Sequence, residues 1–306
     1  MNDQIDVDVV TGAFGYTGKY IARRLLNSGR RVRTLTGHPG RRHDFGDQIE
    51  IAPLNFQDSA ALEMALHGTR VLYNTYWVRF NHGRETFEQA VANSRTLIQA
   101  ARAAGVRKIV HLSIANPSLD SHLPYYSGKA RVEKAIIDSG LPYAILRPTV
   151  IFGPEDILIN NIAWFTRHFP VIAIPGSGRY ELQPIFVEDI AELAVREAQN
   201  ETSRILDAVG PETFAFEDLV RRVAGAVGKS PRFFRLNPRV ALQMLAVVGA
   251  VVGDVILTRE EVDGLMANLL ISNQPPAGWT RLSEWLDRNA QELGKKYSSE
   301  LQRHYL

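Results

Sequence analysis

The first 150 residues alternate between short runs rich in β-branched residues and stretches in which apolar residues recur at helical spacing. The strand-like runs lie at residues 5–11, 31–36, 49–54, 71–74, 108–113 and 143–147, and helix-like stretches lie between most of them. Strands that are joined through helices pair in parallel by right-handed crossovers, which cover both faces of the sheet. The sequence therefore predicts an α/β fold in which residues 1–150 form a doubly wound parallel sheet.

The alternation ends after Pro148, where further prolines divide the chain into short pieces. Residues 185–187 read as one more strand followed by a helix, so residues 184–210 are expected to return to the first domain. The rest of 151–306 is predicted to form a smaller, mostly helical substrate region. Its last part is expected to be a helix capped by Thr280, with an apolar stripe that runs from Leu282 to Leu301.

Composition is that of a soluble globular protein, with 45% hydrophobic and 22% charged residues. A net charge of +2 gives no reason to expect a nucleic-acid partner. The absence of cysteine excludes disulfides, thiolate metal sites and a cysteine nucleophile, and no His/Asp/Glu cluster has metal-ligand spacing, so no metal is predicted. The polar N-terminal residues do not resemble a secretory signal, which predicts a cytoplasmic protein.

One apolar stretch, residues 240–257, is borderline in length for a membrane span. Gly249, Gly253 and Asp254 within it favour a buried helix or a surface-docked hairpin instead. Peripheral membrane association through the stretch remains a third hypothesis.

A glycine-rich turn separates the first predicted strand from the first predicted helix and reads Thr-Gly-Ala-Phe-Gly-Tyr-Thr-Gly. Glycines in such a turn permit a sharp bend, close approach of backbone to a pyrophosphate, and tight packing of helix on strand. The helix N-terminus adds unpaired N–H groups and a positive dipole end. We therefore predict a dinucleotide site whose residues here are Thr11, Gly12, Phe14, Gly15, Tyr16, Thr17 and Gly18.

The Gly-x-x-Gly-x-x-Gly spacing after Thr11 resembles the extended and atypical branches of the short-chain dehydrogenase/reductase superfamily. Residues 93–101, 106–113, 146–154 and 183–191 are also similar to family segments, so the resemblance covers roughly residues 5–195. Residues 152–156 and 258–261 are reminiscent of the atypical subgroup that includes the NADPH-binding accessory subunit of respiratory complex I. The resemblance implies a Rossmann fold that binds NAD(P)(H), and it leaves a homodimer open because extended members often pair through two helices.

The loop after the second strand bears on the choice of dinucleotide. NAD-specific sites usually carry an acidic residue here, but this loop has none and instead supplies His38, Arg41 and Arg42, which could pair with a 2′-phosphate. NADP(H) is therefore favoured over NAD(H), although a solvated basic loop is the alternative. Asn55 and Phe56 align with the residues that contact adenine in the family.

The catalytic candidates come from a Tyr-x-x-x-Lys pattern, whose side chains are neighbours on one face of a helix. An ammonium next to a phenol favours the phenolate, so Tyr125 could exchange a proton with a substrate near neutral pH. The resemblance implies Tyr125 as the acid/base, Lys129 as its activator and ribose ligand, and Ser113 as a hydrogen-bond partner of the substrate oxygen. Ser118 and Ser121 compete with Ser113 for that role.

Two further segments are expected at the same crevice. Asn74 and Thr75 end the fourth strand, and Tyr76 and Trp77 then form either an apolar substrate pocket or core packing under a lid. The resemblance places Pro148 and Val150 near the nicotinamide carboxamide. Arg147 reads as a family residue or, equally, as a structural ion pair.

Two functions from different classes are compatible with these residues. The first is an NAD(P)(H)-dependent oxidoreductase or epimerase-like enzyme that moves a hydride between the nicotinamide and a small alcohol or carbonyl substrate, apolar to judge from the C-terminal third. The second is a non-catalytic NADP(H)-binding module, such as a redox sensor or an assembly factor. An intact Tyr125/Lys129 pair favours the enzyme.

Overall fold

The computed structural model describes residues 6–304, in which the chain divides into two compact units. The first unit extends to Pro148 and includes Val187–Ala208, and the second comprises Thr149–Phe186 and Val209–Leu306. Ile5, the first residue of the first predicted strand, lies outside the described residues.

The elements before the first crossing between units are β1 Val7–Thr11, α1 Tyr16–Asn27, β2 Arg31–Thr36, β3 Ile49–Pro53, α2 Ser59–Leu66, β4 Thr69–Asn74, α3 Phe87–Ala103, β5 Lys108–Leu112, α4 Pro124–Asp138 and β6 Tyr143–Pro148. The chain continues with β7 Ile151–Phe152, α5 Leu158–His168, β8 Val171–Pro175, β9 Glu181–Leu182, β10 Ile185–Phe186, α6 Val187–Ala198 and β11 Arg204–Ala208. The remaining elements are β12 Phe214–Ala215, α7 Phe216–Ala226, β13 Arg232–Leu236, α8 Pro238–Val252, α9 Arg259–Met266, α10 Leu282–Asn289 and α11 Glu300–His304.

The first unit is built on a seven-stranded sheet of order β11-β6-β5-β4-β1-β2-β3, and all of its pairs are parallel. The inner strands β1, β4 and β5 are buried along most of their length, as expected where helices cover both faces, and the sheet confirms the predicted doubly wound α/β fold. The chain adds β2 and β3 on one side of β1 and β4, β5 and β6 on the other, so the switch point of the strand order lies between β1 and β4. Ligands bind at this point in such sheets. The edge strand β11 was not among the strands predicted from the sequence.

Local signals explain several helix boundaries in this unit. The Asp58 carboxylate accepts a hydrogen bond of 2.9 Å from the N–H of Ala61 and so caps α2. The Thr86 hydroxyl caps α3 in the same way, which starts that helix at Phe87.

The second unit has its own apolar core, to which α5, α7, α9 and α10 contribute. Short strand pairs, β7 with β10, β9 with β12 and β8 with β13, surround that core.

The predicted continuous C-terminal helix is wrong. The structure ends α10 at Asn289 and begins α11 only at Glu300, and the residue before α10 is Arg281, without a side-chain cap, rather than Thr280. The break follows from Gly294, whose backbone has a φ of +63° and lies against the backbone of Ala163 and Trp164, where a Cβ would come within 2.3 Å. The apolar residues between Asn289 and Glu300 thus keep a helical spacing in the sequence although this segment is not helical.

Residues 240–257 form neither a buried helix nor a hairpin. They begin within α8, a surface helix that ends at Val252 and is capped by Gly253, and one side of that helix is exposed. No helix in the described part of the chain is both long and apolar enough to cross a membrane.

Candidate functional site

The glycine turn joins β1 to α1 at the switch point of the sheet. The N–H of Gly12 donates to the carbonyl of Leu35 at 2.8 Å, and its φ of +67° bends the chain away from the strand. A Cβ on Gly18 would come within 2.3 Å of the Gly12 carbonyl oxygen, so the helix packs against the turn in a way that only glycine permits. The geometry is that of a turn that brings backbone N–H groups to a pyrophosphate.

The N-terminus of α1 is electrostatically suited to an anion. Its first turn contains no acidic side chain, and Gly15 at the N-cap provides no side-chain hydrogen bond. The first amides of a helix have no acceptor within the helix, so this end of α1 attracts an anion through its amides and its dipole. The residues of this turn therefore fit a dinucleotide.

Hydrogen bonds between Thr11 and Thr75 connect the ends of β1 and β4. The Thr11 hydroxyl accepts hydrogen bonds from the N–H groups of Thr75, at 2.8 Å, and Tyr76, at 3.1 Å. The Thr75 hydroxyl donates to the Thr11 carbonyl at 2.5 Å. These bonds fix the two loops that border the switch point, so both threonines position the site, whereas their contact with the cofactor stays a prediction.

The loop after β2 presents its basic residues around a turn. The N–H of Arg41 donates to the carbonyl of His38 at 3.1 Å, and the N–H of His38 donates to the Thr36 hydroxyl at 3.0 Å. His38 and Arg42 are exposed and Arg41 is half-buried. The loop has no acidic residue before Asp44, so a 2′-phosphate would meet no nearby carboxylate along it.

His43 is a contact that the sequence analysis missed. Its ring stacks on that of Phe14 from the glycine turn, with the ring centroids 4.1 Å apart and the planes at 4°. Its Nδ1 accepts a long hydrogen bond of 3.4 Å from the N–H of Phe45. The stack joins the glycine turn to the basic loop, and nothing in the spacing of the sequence indicates it.

The predicted adenine residues differ in their surroundings. Asn55 is exposed, and its side-chain oxygen accepts a hydrogen bond of 3.0 Å from the N–H of Gln57, which closes a local turn. Phe56 packs against Tyr76, with ring centroids 4.8 Å apart. The Tyr76 hydroxyl in turn accepts a hydrogen bond of 2.8 Å from the Asn93 amide.

Trp77 lies next to the Tyr-x-x-x-Lys residues. Tyr125, near the start of α4, packs edge-on against Trp77 and Phe87, with centroid distances of 5.9 and 5.6 Å. The Lys129 ammonium lies 4.7 Å from the centre of the Trp77 ring, within the range of a cation–π interaction. Tyr76, Trp77 and Tyr125 all pack against the buried cluster that includes Phe87, and Trp77 and Phe87 place apolar surface beside the Tyr125 ring.

Lys129 is buried, with only 3% of its surface exposed, and its Nζ donates a hydrogen bond of 2.9 Å to the carbonyl of Leu112 at the end of β5. Burial lowers the pKa of Lys129 to about 7, although Glu133 opposes that shift. Glu133 forms instead a two-point ion pair with Arg147, at 3.0 and 2.6 Å. Arg147 thus makes the structural ion pair that was one of its two interpretations.

The three candidate serines are distinguished by their hydrogen bonds. The hydroxyl of Ser118 accepts from the N–H of Asp120 at 3.3 Å, and that of Ser121 accepts from the N–H of Leu123 at 3.2 Å, so each closes a local turn. The Ser113 hydroxyl lies buried beyond the end of β5, with no hydrogen-bond partner among the described residues. Ser113 is therefore the serine whose hydroxyl is left for a ligand.

Other buried polar atoms surround the carboxyl ends of β4 and β5. Within residues 6–304, the Asn74 amide nitrogen, the Trp77 indole nitrogen and both ring nitrogens of His111 lack hydrogen bonds of normal geometry. Burial first, and the nearby Lys129 second, lower the pKa of His111 well below its ordinary value, so His111 is neutral. Buried polar groups in native proteins are almost always paired. Unpaired atoms also lie toward the amino end of the sheet, on Asp8, Thr69 and Arg70, so it is the strand order rather than their number that indicates a ligand site at the carboxyl ends.

Pro148 ends β6, and its carbonyl accepts a hydrogen bond of 2.8 Å from the N–H of Ala115. Val150 belongs to the second unit. Contacts of Pro148 and Val150 with the carboxamide stay predictions.

Comparison with known proteins agrees with this geometry. Residues 12–157 match the family model described as NAD(P)H-binding. This part of the chain has a Rossmann-like fold and is similar to NAD(P)H-binding domains.

Among curated proteins, the chain is similar to the mitochondrial NADH dehydrogenase (ubiquinone) 1 alpha subcomplex subunit 9 of Arabidopsis thaliana, with 23% identity over 87% of this chain and 71% of that protein. It is also similar to the ceramide reductase of Caulobacter vibrioides, with 26% identity over 81% of this chain and 79% of that protein. The chain is thus homologous both to a complex I subunit and to reductases, and this homology agrees with the resemblance seen in the sequence.

Among solved structures, the NADPH-dependent quinone oxidoreductase QOR2 of Escherichia coli, complexed with NADPH, has a TM-score of 0.74 with 22% identity. The match covers 92% of this chain and 99% of that one. This likeness shows the fold.

Proposed function

We propose that the protein is an NADP(H)-dependent oxidoreductase that reduces an apolar carbonyl compound, with Tyr125 as proton donor. The observation that carries the proposal is the buried Ser113 hydroxyl without a hydrogen-bond partner among the described residues, next in sequence to Leu112, whose carbonyl accepts the hydrogen bond from Lys129. When bound, the nicotinamide supplies the hydride that the carbonyl carbon accepts. The names of two proteins that the chain resembles, ceramide reductase and quinone oxidoreductase, agree with a reductase.

The chain's own residues would divide the remaining work. The amides at the start of α1 hold the pyrophosphate, and Arg41 and Arg42 pair with the 2′-phosphate. Ser113 donates its hydrogen to the substrate oxygen and orients it, while the Tyr125 phenol gives that oxygen its proton as the hydride arrives at carbon. The rings of Trp77 and Phe87 beside the phenol favour an apolar substrate and exclude water.

The test is NADPH oxidation by a panel of carbonyl and quinone substrates, with Tyr125→Phe compared with Tyr126→Phe. Tyr126 is the matched control because it is the adjacent phenol on α4 but has Ala130 four residues on instead of a lysine. We expect Tyr125→Phe to lose about 10²- to 10⁴-fold in turnover, the usual contribution of a general acid, and to retain NADPH binding, while Tyr126→Phe keeps its turnover. Equal activities of the two variants would reject Tyr125 as the proton donor.

A non-catalytic NADP(H)-binding module is the second candidate, and the environment of Lys129 favours it. Its Nζ is directed to a strand carbonyl and its pKa is lowered to about 7, so the ammonium that should activate Tyr125 is partly lost at neutral pH. Homology to a complex I subunit is compatible with such a role. Tight NADPH binding with no turnover of any substrate, and no effect of Tyr125→Phe, would support this candidate over the enzyme.

A further inference from the structure

The exposed side of α8 carries a row of apolar side chains. Val240, Met244, Val247 and Val251 are 44%, 49%, 68% and 82% exposed, far more than is usual for four large apolar residues of one helix. Their spacing of four, three and four residues places them on one face. We call this row the α8 ridge.

The side of α8 opposite the ridge packs against the rest of the second unit. Ala241 and Gly249 are buried there, and α8 contacts β8. Because the fold already uses that side, the α8 ridge contributes nothing to the core. Contiguous exposed apolar rows of this kind mark interaction sites.

Charge around the ridge points to one kind of partner. Residues 219–253 contain no Asp or Glu, although the whole chain is almost balanced at +2, and their six cations are Arg221, Arg222, Lys229, Arg232, Arg235 and Arg239.

Three of these cations are neutralised within the second unit. Arg221 and Arg235 pair with Glu217, and Arg222 pairs with Asp287.

The other three, Lys229, Arg232 and Arg239, are exposed and form no ion pair with any described residue. Arg239 is in the first turn of α8, and Arg232 is in β13 just before it. An exposed apolar row with Arg239 on the same helix, in a segment that also contains Lys229 and Arg232, has the composition of an interfacial helix on an anionic lipid surface.

We propose that the α8 ridge docks the protein onto an anionic membrane surface, with the ridge in the headgroup–acyl boundary and Lys229, Arg232 and Arg239 at the lipid phosphates. A second copy of the chain would cover the apolar row but would bring the same three cations to the interface, where like charges repel. The charge pattern therefore favours lipid over self-association. The proposal does not depend on the proposed function, because α8 contains none of the candidate catalytic residues.

The absence of cysteine allows a direct test, since Val251→Cys places one environment-sensitive fluorophore on the ridge. Met64→Cys is the matched control, because Met64 is 71% exposed on α2 in the first unit. With vesicles of phosphatidylcholine and phosphatidylglycerol, we expect the label at position 251 to shift to the blue and the label at position 64 to remain unchanged. A response at both positions or at neither, or a blue shift that grows with protein concentration in the absence of vesicles, would overturn the proposal.

Co-sedimentation of the unmodified protein measures the charge contribution. Each cation near an anionic surface contributes about fivefold in binding, so three should favour anionic over phosphatidylcholine vesicles by on the order of a hundredfold at low salt. Arg232→Gln with Arg239→Gln should reduce this preference, and 0.5 M salt should remove most of it. Equal binding to neutral and anionic vesicles would overturn the proposal.

Discussion

Two buried charged residues in the first unit, Asp8 and Lys129, lie at opposite ends of the sheet and differ in whether they have an ion-pair partner. Asp8, in β1, is fully buried and has two cationic partners, Arg30 at 2.9 Å and Arg70 at 2.7 Å. Lys129, beside the end of β5, is as deeply buried, but it forms no ion pair with a described carboxylate. Its Nζ contacts the Leu112 carbonyl and the Trp77 ring, and Glu133 acts on it only at longer range.

The presence or absence of a counter-charge distinguishes a buried charge that maintains the fold from one that belongs to the candidate site. A buried charge without a counter-charge costs stability and shifts its pKa toward the neutral form, whereas a compensated one does not. The compensated charge therefore maintains the fold at the amino end of the sheet. The uncompensated one persists at the carboxyl end, where the glycine turn and the unpaired Ser113 hydroxyl also lie.

Removing the Asp8 carboxylate should have the largest effect on the free energy of unfolding. Asp8→Asn leaves Arg30 and Arg70 without their shared partner, and we expect a loss of about 3 kcal/mol in the free energy of unfolding, reduced from a fully buried case because both arginines are partly exposed. Denaturant titration measures the change. NADPH affinity of the folded protein should not change, and a loss below 1 kcal/mol would mean that the pairs are not structural.

Removing the uncompensated charge should change how stability depends on pH. The pKa of Lys129 is about 7 in the folded protein against 10.5 when unfolded, so between these values the unfolded state binds more protons and stability rises with pH. From pH 7 to pH 9 this gain should be on the order of 2 kcal/mol, and Lys129→Met should lack it. Parallel stability curves for the two proteins would show that Lys129 is not desolvated.

Substitutions in the basic loop should have a smaller effect, on the ratio of the affinities for NADPH and NADH. Replacing Arg41 and Arg42 with glutamine should weaken NADPH by about tenfold relative to NADH, since two charge-assisted contacts to the 2′-phosphate are lost. Fluorescence titration with both dinucleotides measures the ratio. If both affinities fall together, the arginines do not read the 2′-phosphate.

The smallest stability effect should be that of Ser113→Ala. Because the Ser113 hydroxyl has no partner among the described residues, its removal should change the free energy of unfolding by less than about 1 kcal/mol, while kcat/KM falls. A marked loss of stability would mean that the hydroxyl is paired within the fold.

Much of the first unit could be predicted because its signals are local. The glycine turn and the Asp58 cap depend on residues a few positions apart, and each predicts a turn or a helix start directly. The apolar stripe after Leu282 failed as a predictor because the break at Gly294 depends on the backbone of α5, far away in sequence.

The finer features of the site depend on the same kind of distant contact. The stacking of Phe14 on His43 and the hydrogen bond from Lys129 to the Leu112 carbonyl exist only once the sheet has assembled. The sequence predicted Lys129 as a partner of Tyr125, and it could not predict that burial would lower the lysine's pKa. Residue types at a site are thus more predictable than their partners.

The central claim is that the amides at the start of α1 bind the diphosphate of a dinucleotide, and calorimetric titration of NADPH tests it most directly. Gly18→Ala should abolish binding, since the new Cβ would meet the Gly12 carbonyl at 2.3 Å and displace the turn. Gly225→Ala, a control in α7 with no atom within 4 Å of the added Cβ, should bind like the unmodified protein. Undiminished binding by Gly18→Ala, or no binding of NADPH or NADH by the unmodified protein, would contradict the account.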